Sequence, residues 1–172
     1  MYGIRKLLLV VIGIAAIDAF AFAAGSDPHP KLNSSDHSFL TDALASNQLE
    51  IDVSAYAVKQ AKSDKVRAFA KTMVAEHAKL AIEMQKANDG LVPTPPPTPQ
   101  PGINLLGRNG AEFDDSYVAL MVSYEDEELG KFGGAVDGPQ HTPIVHDMAK
   151  KLLPMIRHHD AAANALERAL RS

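Results

Sequence analysis

The 172-residue chain has neither cysteine nor tryptophan. The missing cysteine excludes disulfides, thiolate metal sites and Cys-linked lipid anchors, so the core alone must hold the fold. The missing tryptophan, with modest β-branched content beside abundant alanine, favours helices over sheet. There is no basic block and no basic–aromatic interleaving, and the net charge is −4. Nucleic acid is therefore not an expected partner. A Ser-His-Asp arrangement, a phosphate loop and a dinucleotide fingerprint are all lacking, which argues against the common nucleophilic and nucleotide-dependent enzymes. With 46% hydrophobic and 22% charged residues, the composition is that of one globular domain with a real core.

Residues 1–24 read as a signal peptide. Arg5 and Lys6 make the charged start, Leu7 to Ile17 is an unbroken apolar run, and Ala21 and Ala23 offer small residues for cleavage. The alternative is an uncleaved anchor. The apolar run rises only about 16 Å as a helix, short of a bilayer core of about 30 Å, and extending it takes in Asp18. Export to the periplasm or cell envelope is the expectation, with an envelope or membrane-associated protein as a candidate partner. Losing Arg5, Lys6 and Asp18 shifts the net charge from −4 to −5.

Residues 25–34 form a polar tether with two prolines, and residues 35–172 are expected to be all-α. The first helix is expected from Ser35 to Lys62, opening in the cap-rich "NSSD", and the second from Asp64 to Asn88 with Ser63 as N-cap. "LVPTPPPTPQPG" cannot be helix interior and reads as an extended spacer. The third helix starts at Gly110, where Asn109 and Glu112 suggest a capping box, and frays towards "GGAVDG". The fourth runs from Pro143, with Thr142 as N-cap, to Leu170, and Pro154 should kink it. Short links within each pair and a proline-rich crossover between helices 2 and 3 give an antiparallel four-helix bundle.

Each helix carries one ionisable residue in the middle of its apolar stripe. These are Glu50, His77, Glu125 and His159, with Asp114 and Glu128 as further acids on the third helix. His77 lies among Met73, Val74, Leu80 and Met84 at helical spacing, while Glu76 lies off that face. Counting from the turns, Glu50 and His77 should be level within about 3 Å, and Glu125 and His159 should differ by about 7 Å. Two carboxylates and two imidazoles converging in a bundle core suit a single divalent transition metal such as iron, manganese or zinc. The alternative is a buried hydrogen-bonded network that only fixes helix packing. His29, His37, His141 and His146 are expected in solvent, His158 at the bundle surface, and "EDEE" as an exposed face apart from Glu125 and Glu128.

The stretches "FLTDALASNQLEI", "VRAFAKTMVAEHAKL", "GAEFDDSYVALMV" and "LLPMIRHH" resemble an exported bacterial family, domain of unknown function 4142, placed among ferritin-like folds. The resemblance matches a Glu to Glu50, an acid-His pair to Glu76-His77, Phe-Asp to Phe113-Asp114, and Leu-Pro followed by His to Leu153, Pro154 and His159. It implies a ferritin-like bundle, often labelled as an outer-membrane protein, with no known activity. The chain departs from the family in helix 3, where Tyr124-Glu125 stands for Asp-His. It departs from di-iron ferritins too, since Val74 and Ile156 precede the histidines by three where Glu is needed. A ferroxidase centre, and with it an assigned enzyme activity, is not expected.

Overall fold

The computed structural model describes residues 31–88 and 105–172. The signal segment, most of the tether and the proline-rich crossover lie outside the described residues. Among those described there are four helices, α1 (Ser34–Gln60), α2 (Asp64–Ala87), α3 (Gly110–Asp137) and α4 (Pro143–Leu170), and no strand. None of these helices is long and apolar enough to cross a membrane.

α1 begins where its chemistry allows. Asn33 Oδ1 accepts from Asp36 N, and Asp36 returns a carboxylate oxygen to Asn33 N, closing a capping box. The box expected at Asn109 and Glu112 does not form. Asn109 makes no side-chain cap bond, Gly110 turns with φ +60, and Glu112 instead pairs with Arg108. Ser63 likewise makes no side-chain cap for α2.

The two hairpins cap each other instead. On α3, Asp114 accepts from Lys62 N at 3.0 Å and Ser63 N at 2.7 Å, in the α1–α2 turn. On α1, Asp36 accepts from Thr142 N at 3.2 Å and His141 Nδ1 at 3.1 Å, in the α3–α4 turn. Burial disfavours the Asp36 charge, but the bonds from Asn33, Thr142 and His141 outweigh it and hold the carboxyl below its ordinary value. His141 is therefore not solvated as its loop position suggests, and His146 donates through Nε2 to Gly138 O at 2.8 Å.

α3 does not fray at its glycines but continues to Asp137. Phe132 and Ala135, each 1% exposed, lie in the core and hold this turn, offsetting a cost of about 1 kcal/mol per helical glycine. α4 is one unbroken helix through Pro154, which stands on its exposed face.

The core is divided along its length. One apolar cluster joins Phe39 and Leu40, Leu80 and Met84, Phe132, and Val145 to Ile156. The other joins Val53 and Ala57, Val66 to Met73, Phe113 to Met121, and Ala163 and Leu166. The start of α1 thus shares an end with the start of α4 and the finishes of α2 and α3, so each hairpin is antiparallel. Between the clusters lies a polar layer of Asn47, Glu50, His77, Glu125, Glu128 and His159, each at most 2% exposed.

The hairpins also repeat one burial pattern. Asp36, Leu40, Ala43, Asn47, Glu50 and Ala57 of α1 and Asp114, Val118, Met121, Glu125, Glu128 and Ala135 of α3 stand at one constant offset in sequence, all buried. The same holds between Val66, Ala70, Met73, His77, Leu80 and Met84 of α2 and Val145, Ala149, Leu152, Ile156, His159 and Ala163 of α4. Glu50 and Glu128 are counterparts in this scheme. The imidazoles are not, since His159 answers to Leu80.

Asp114 is one of the acids expected near the site, yet its carboxylate is taken up by the Lys62 and Ser63 amides. Asp114→Ala should cost about 1–3 kcal/mol of stability, because it strands two amides of the α1–α2 turn. Metal affinity should not change. Urea midpoints and a metal titration on the one variant check both parts.

Candidate metal centre

The polar layer is assembled by helix periodicity. Asn47 and Glu50 are one turn apart on α1, Glu125 and Glu128 one turn apart on α3, and His77 and His159 project from α2 and α4. The two imidazole rings stack with centroids 5.0 Å apart and planes 26° from parallel. His77 Nε2 lies 3.4 Å from Glu125 Oε1 and 3.6 Å from Glu50 Oε2. His159 Nδ1 lies 3.7 Å from the same Glu125 oxygen. The height difference expected between Glu125 and His159 is closed, since one Glu125 oxygen stands close to both rings.

Hydrogen bonding assigns the tautomers. His77 donates from Nδ1 to Asn47 Oδ1 at 3.1 Å. His159 donates from Nε2 to Glu76 Oε2 at 2.7 Å. Each ring therefore spends its N–H on an outer partner and turns the lone pair of its other nitrogen inward, towards carboxylate oxygens. Both oxygens of Glu50, one of Glu125 and Nδ1 of His159 are buried without a hydrogen-bond partner. Lone pairs facing lone pairs in a buried layer are unfavourable unless a proton or a cation lies between them.

The electrostatics agree with this geometry. Burial, together with the Glu128 and Glu125 charges, lifts the Glu50 carboxyl well above its ordinary range. Burial pushes Glu125 up to about 7 and raises Glu128 as well. Burial lowers both imidazoles, outweighing the acids around them, so both rings stay neutral and able to act as ligands. Glu76 differs, because its bond to His159 holds the carboxyl below its usual value. An ionised carboxylate behind a histidine N–H orients the ring and raises its basicity, as supporting groups do around bound metals.

His77, Glu125 and His159 form one buried triad, and Glu50, His77 and Glu128 a second. Within each triad the donor atoms lie within 4.8 Å of one another. An ion held tetrahedrally with bonds of about 2.0–2.2 Å spaces its donors by about 3.3–3.6 Å, close to the 3.4 and 3.7 Å that separate Glu125 Oε1 from the two imidazole nitrogens. These buried His/Glu clusters can hold a metal ion. The structure gathers Glu50, His77, Glu125, His159 and Glu128 into one layer and leaves Asp114 at the turn.

Sequence periodicity did not single out Asn47 and set Glu76 aside. Glu76 leaves the α2 face but reaches across to α4, and its place beside His77 in the acid-His pair was the available signal. Exposed Asp126 and Glu127 alternate with buried Glu125 and Glu128.

A family model described as a domain of unknown function, DUF4142, matches residues 21–166. The chain belongs to the DUF4142 family. The DUF4142 domain is also similar in fold to a crystal structure of a DUF305 fragment from Deinococcus radiodurans, with a TM-score of 0.68 at 15% identity, covering 81% of this chain and 99% of that one. No curated protein sequence matches significantly. The likeness to the DUF305 fragment bears on the helical architecture alone, and the chemistry of this DUF4142 domain rests on its own buried layer.

Proposed function

We propose that the bundle binds a single divalent transition metal through Glu50, His77, Glu125 and His159, with Glu128 beside them, and that it works outside the cytoplasm. The observation that carries this reading is the pair of histidines that donate outward, to Asn47 and Glu76, and turn their other nitrogens inward onto one Glu125 oxygen, with both Glu50 oxygens unpartnered beside them. A donor set of two imidazole nitrogens and carboxylate oxygens, without sulfur, suits zinc, iron(II) or manganese(II) better than the all-oxygen cations calcium and magnesium. The export expectation rests on residues 1–24, and a partner in the envelope remains part of the proposal. No reaction is assigned, since the layer offers ligands and no nucleophile.

The test is calorimetric titration of chelator-treated protein with zinc, iron(II) and manganese(II), together with elemental analysis of the protein taken from its native envelope. One ion per chain, with affinity following Mn < Fe < Zn, is the expected result. If no ion binds at one per chain, the polar layer is a proton-sharing network that fixes helix register, and the proposal falls.

A further inference from the structure

Among the described residues, one wall of the buried layer is incompletely covered. Between α1 and α3 a cavity of about 160 Å³ is lined by Ser46, Leu49, Glu50, Tyr124, Glu127, Glu128 and Lys131. Glu50 and Glu128 form its floor and belong to the second buried triad. Both carboxylate oxygens of Glu50 are buried without a partner although the cavity reaches that side chain. α1 and α3 also touch each other least among the neighbouring helix pairs.

We propose that this cavity is the passage through which a divalent cation reaches and leaves the layer, and that Lys131 is the residue that guards it. The inference rests on the metal-binding reading above. The sequence of charges along the passage supports it. Glu127 is exposed at the rim and stands 3.9 Å from Lys131 Nζ. Lys131 Nζ donates to Ser46 Oγ at 3.4 Å, and Ser46 Oγ lies 3.2 Å from Glu128 Oε1. An arriving dication therefore meets an exposed acid, then a loosely held ammonium, then two buried acids. The long Lys131 contacts are easily broken, and displacing the ammonium removes the repulsive charge from the mouth. The other side of the layer is better closed, because a route past Glu76 must break its 2.7 Å bond to His159.

A passage controls rates and leaves the equilibrium alone, and that is how it is recognised. Cobalt(II) is the probe, with its visible absorption followed on mixing and again after excess chelator, and its dissociation constant measured beforehand. Leu49→Trp, which fills the cavity, should slow both uptake and release by one common factor of about tenfold. Tyr124→Ala, which widens it, should speed both by one common factor. Lys131→Met should raise the uptake rate at low salt, with the gain shrinking as ionic strength rises. Ala119→Trp, beside a separate cavity lined by Asp115, Ser116 and Glu167, should change neither rate. If wild type binds cobalt but Tyr124→Ala and Lys131→Met exchange it at the wild-type rates, the passage is wrong and the metal site stands. If wild type binds none of the ions tested at equilibrium, the metal reading fails first and the passage falls with it. Should Leu49→Trp not fold, the other two variants decide.

Discussion

His77→Ala should abolish tight metal binding while leaving the metal-free bundle close to wild-type stability, and Met73→Ala should do the reverse. His77 stands in both buried triads, so its loss removes a donor from either arrangement. Divalent ions are held by the sum of their ligands, and one missing imidazole in such a set removes a large part of the affinity. Without metal, the neighbouring acids can take up protons, in keeping with their raised values, so the loss of the His77 bonds to Asn47 Oδ1 and Glu125 Oε1 leaves no unpaired charge behind. Met73 is fully buried in the apolar cluster beyond the layer. Truncating it removes packing alone, at about 2–5 kcal/mol. Stoichiometry by calorimetry and urea midpoints on the two variants check the pair. A bundle held together by a structural Glu–His network would behave otherwise. In it His77→Ala would be the less stable of the two, losing about 3–5 kcal/mol, and neither variant would change metal content.

Metal-free protein should lose stability as the pH rises above 6.5, contrary to ordinary carboxylate behaviour. Glu125 has its carboxyl raised from 4.5 to about 7 in the fold, and Glu50 and Glu128 are raised too. Above their unfolded value these acids hold protons in the native state that the unfolded chain has released. The slope of stability against pH is then negative, about 1.4 kcal/mol per unit for each proton held. The histidines act in the opposite sense. Their folded values lie below 6.5, so they favour the fold increasingly as the pH climbs to 6.5 and contribute no slope above it. Below 6.5 the two effects partly cancel, and above it the acids act alone. Denaturation midpoints in chelator from pH 6 to 8.5 should therefore fall, and Glu125→Gln should flatten the fall. Saturating zinc should reverse it, because the ion replaces the protons and binds more tightly as they leave. A flat midpoint in chelator across this range would show that the acids are not protonated in the fold.

The helices and their apolar faces were readable because 3.6-residue periodicity is a local property of the chain. Glu50, His77, Glu125 and His159 could each be singled out as a charge or imidazole at the centre of an oily stripe. What reached between helices was harder to see. Glu76 leaves its own helix face and acts on a histidine of α4, and one helix's periodicity does not encode that reach. Asp114 looked like a possible ligand because it is an acid on the right face. Its height, at the first turns of α3, delivers it to the Lys62 and Ser63 amides instead. The cap failed at Ser63 for a related reason, since the tertiary Asp114 carboxylate took over its turn, while at Asn109 the positive φ of Gly110 and the Arg108–Glu112 pair displaced the box. The repeated spacing of Asp36 and Asp114, and of Glu50 and Glu128, was present in the sequence. It carries meaning only once both members of each pair are known to be buried.

The reciprocal aspartates bear on how the chain reaches this structure. Neither hairpin contains everything needed to close its own turn, since the carboxylate that ties the α1–α2 turn belongs to α3 and the one that ties the α3–α4 turn belongs to α1. A hairpin that formed early would leave its turn amides to water and its polar half-layer exposed. The gain comes when the second hairpin docks, satisfying both turns and both halves of the layer in one event. Such a bundle should have no stable half-folded form, with assembly of the two hairpins as the cooperative step and the aspartates serving as mutual locks.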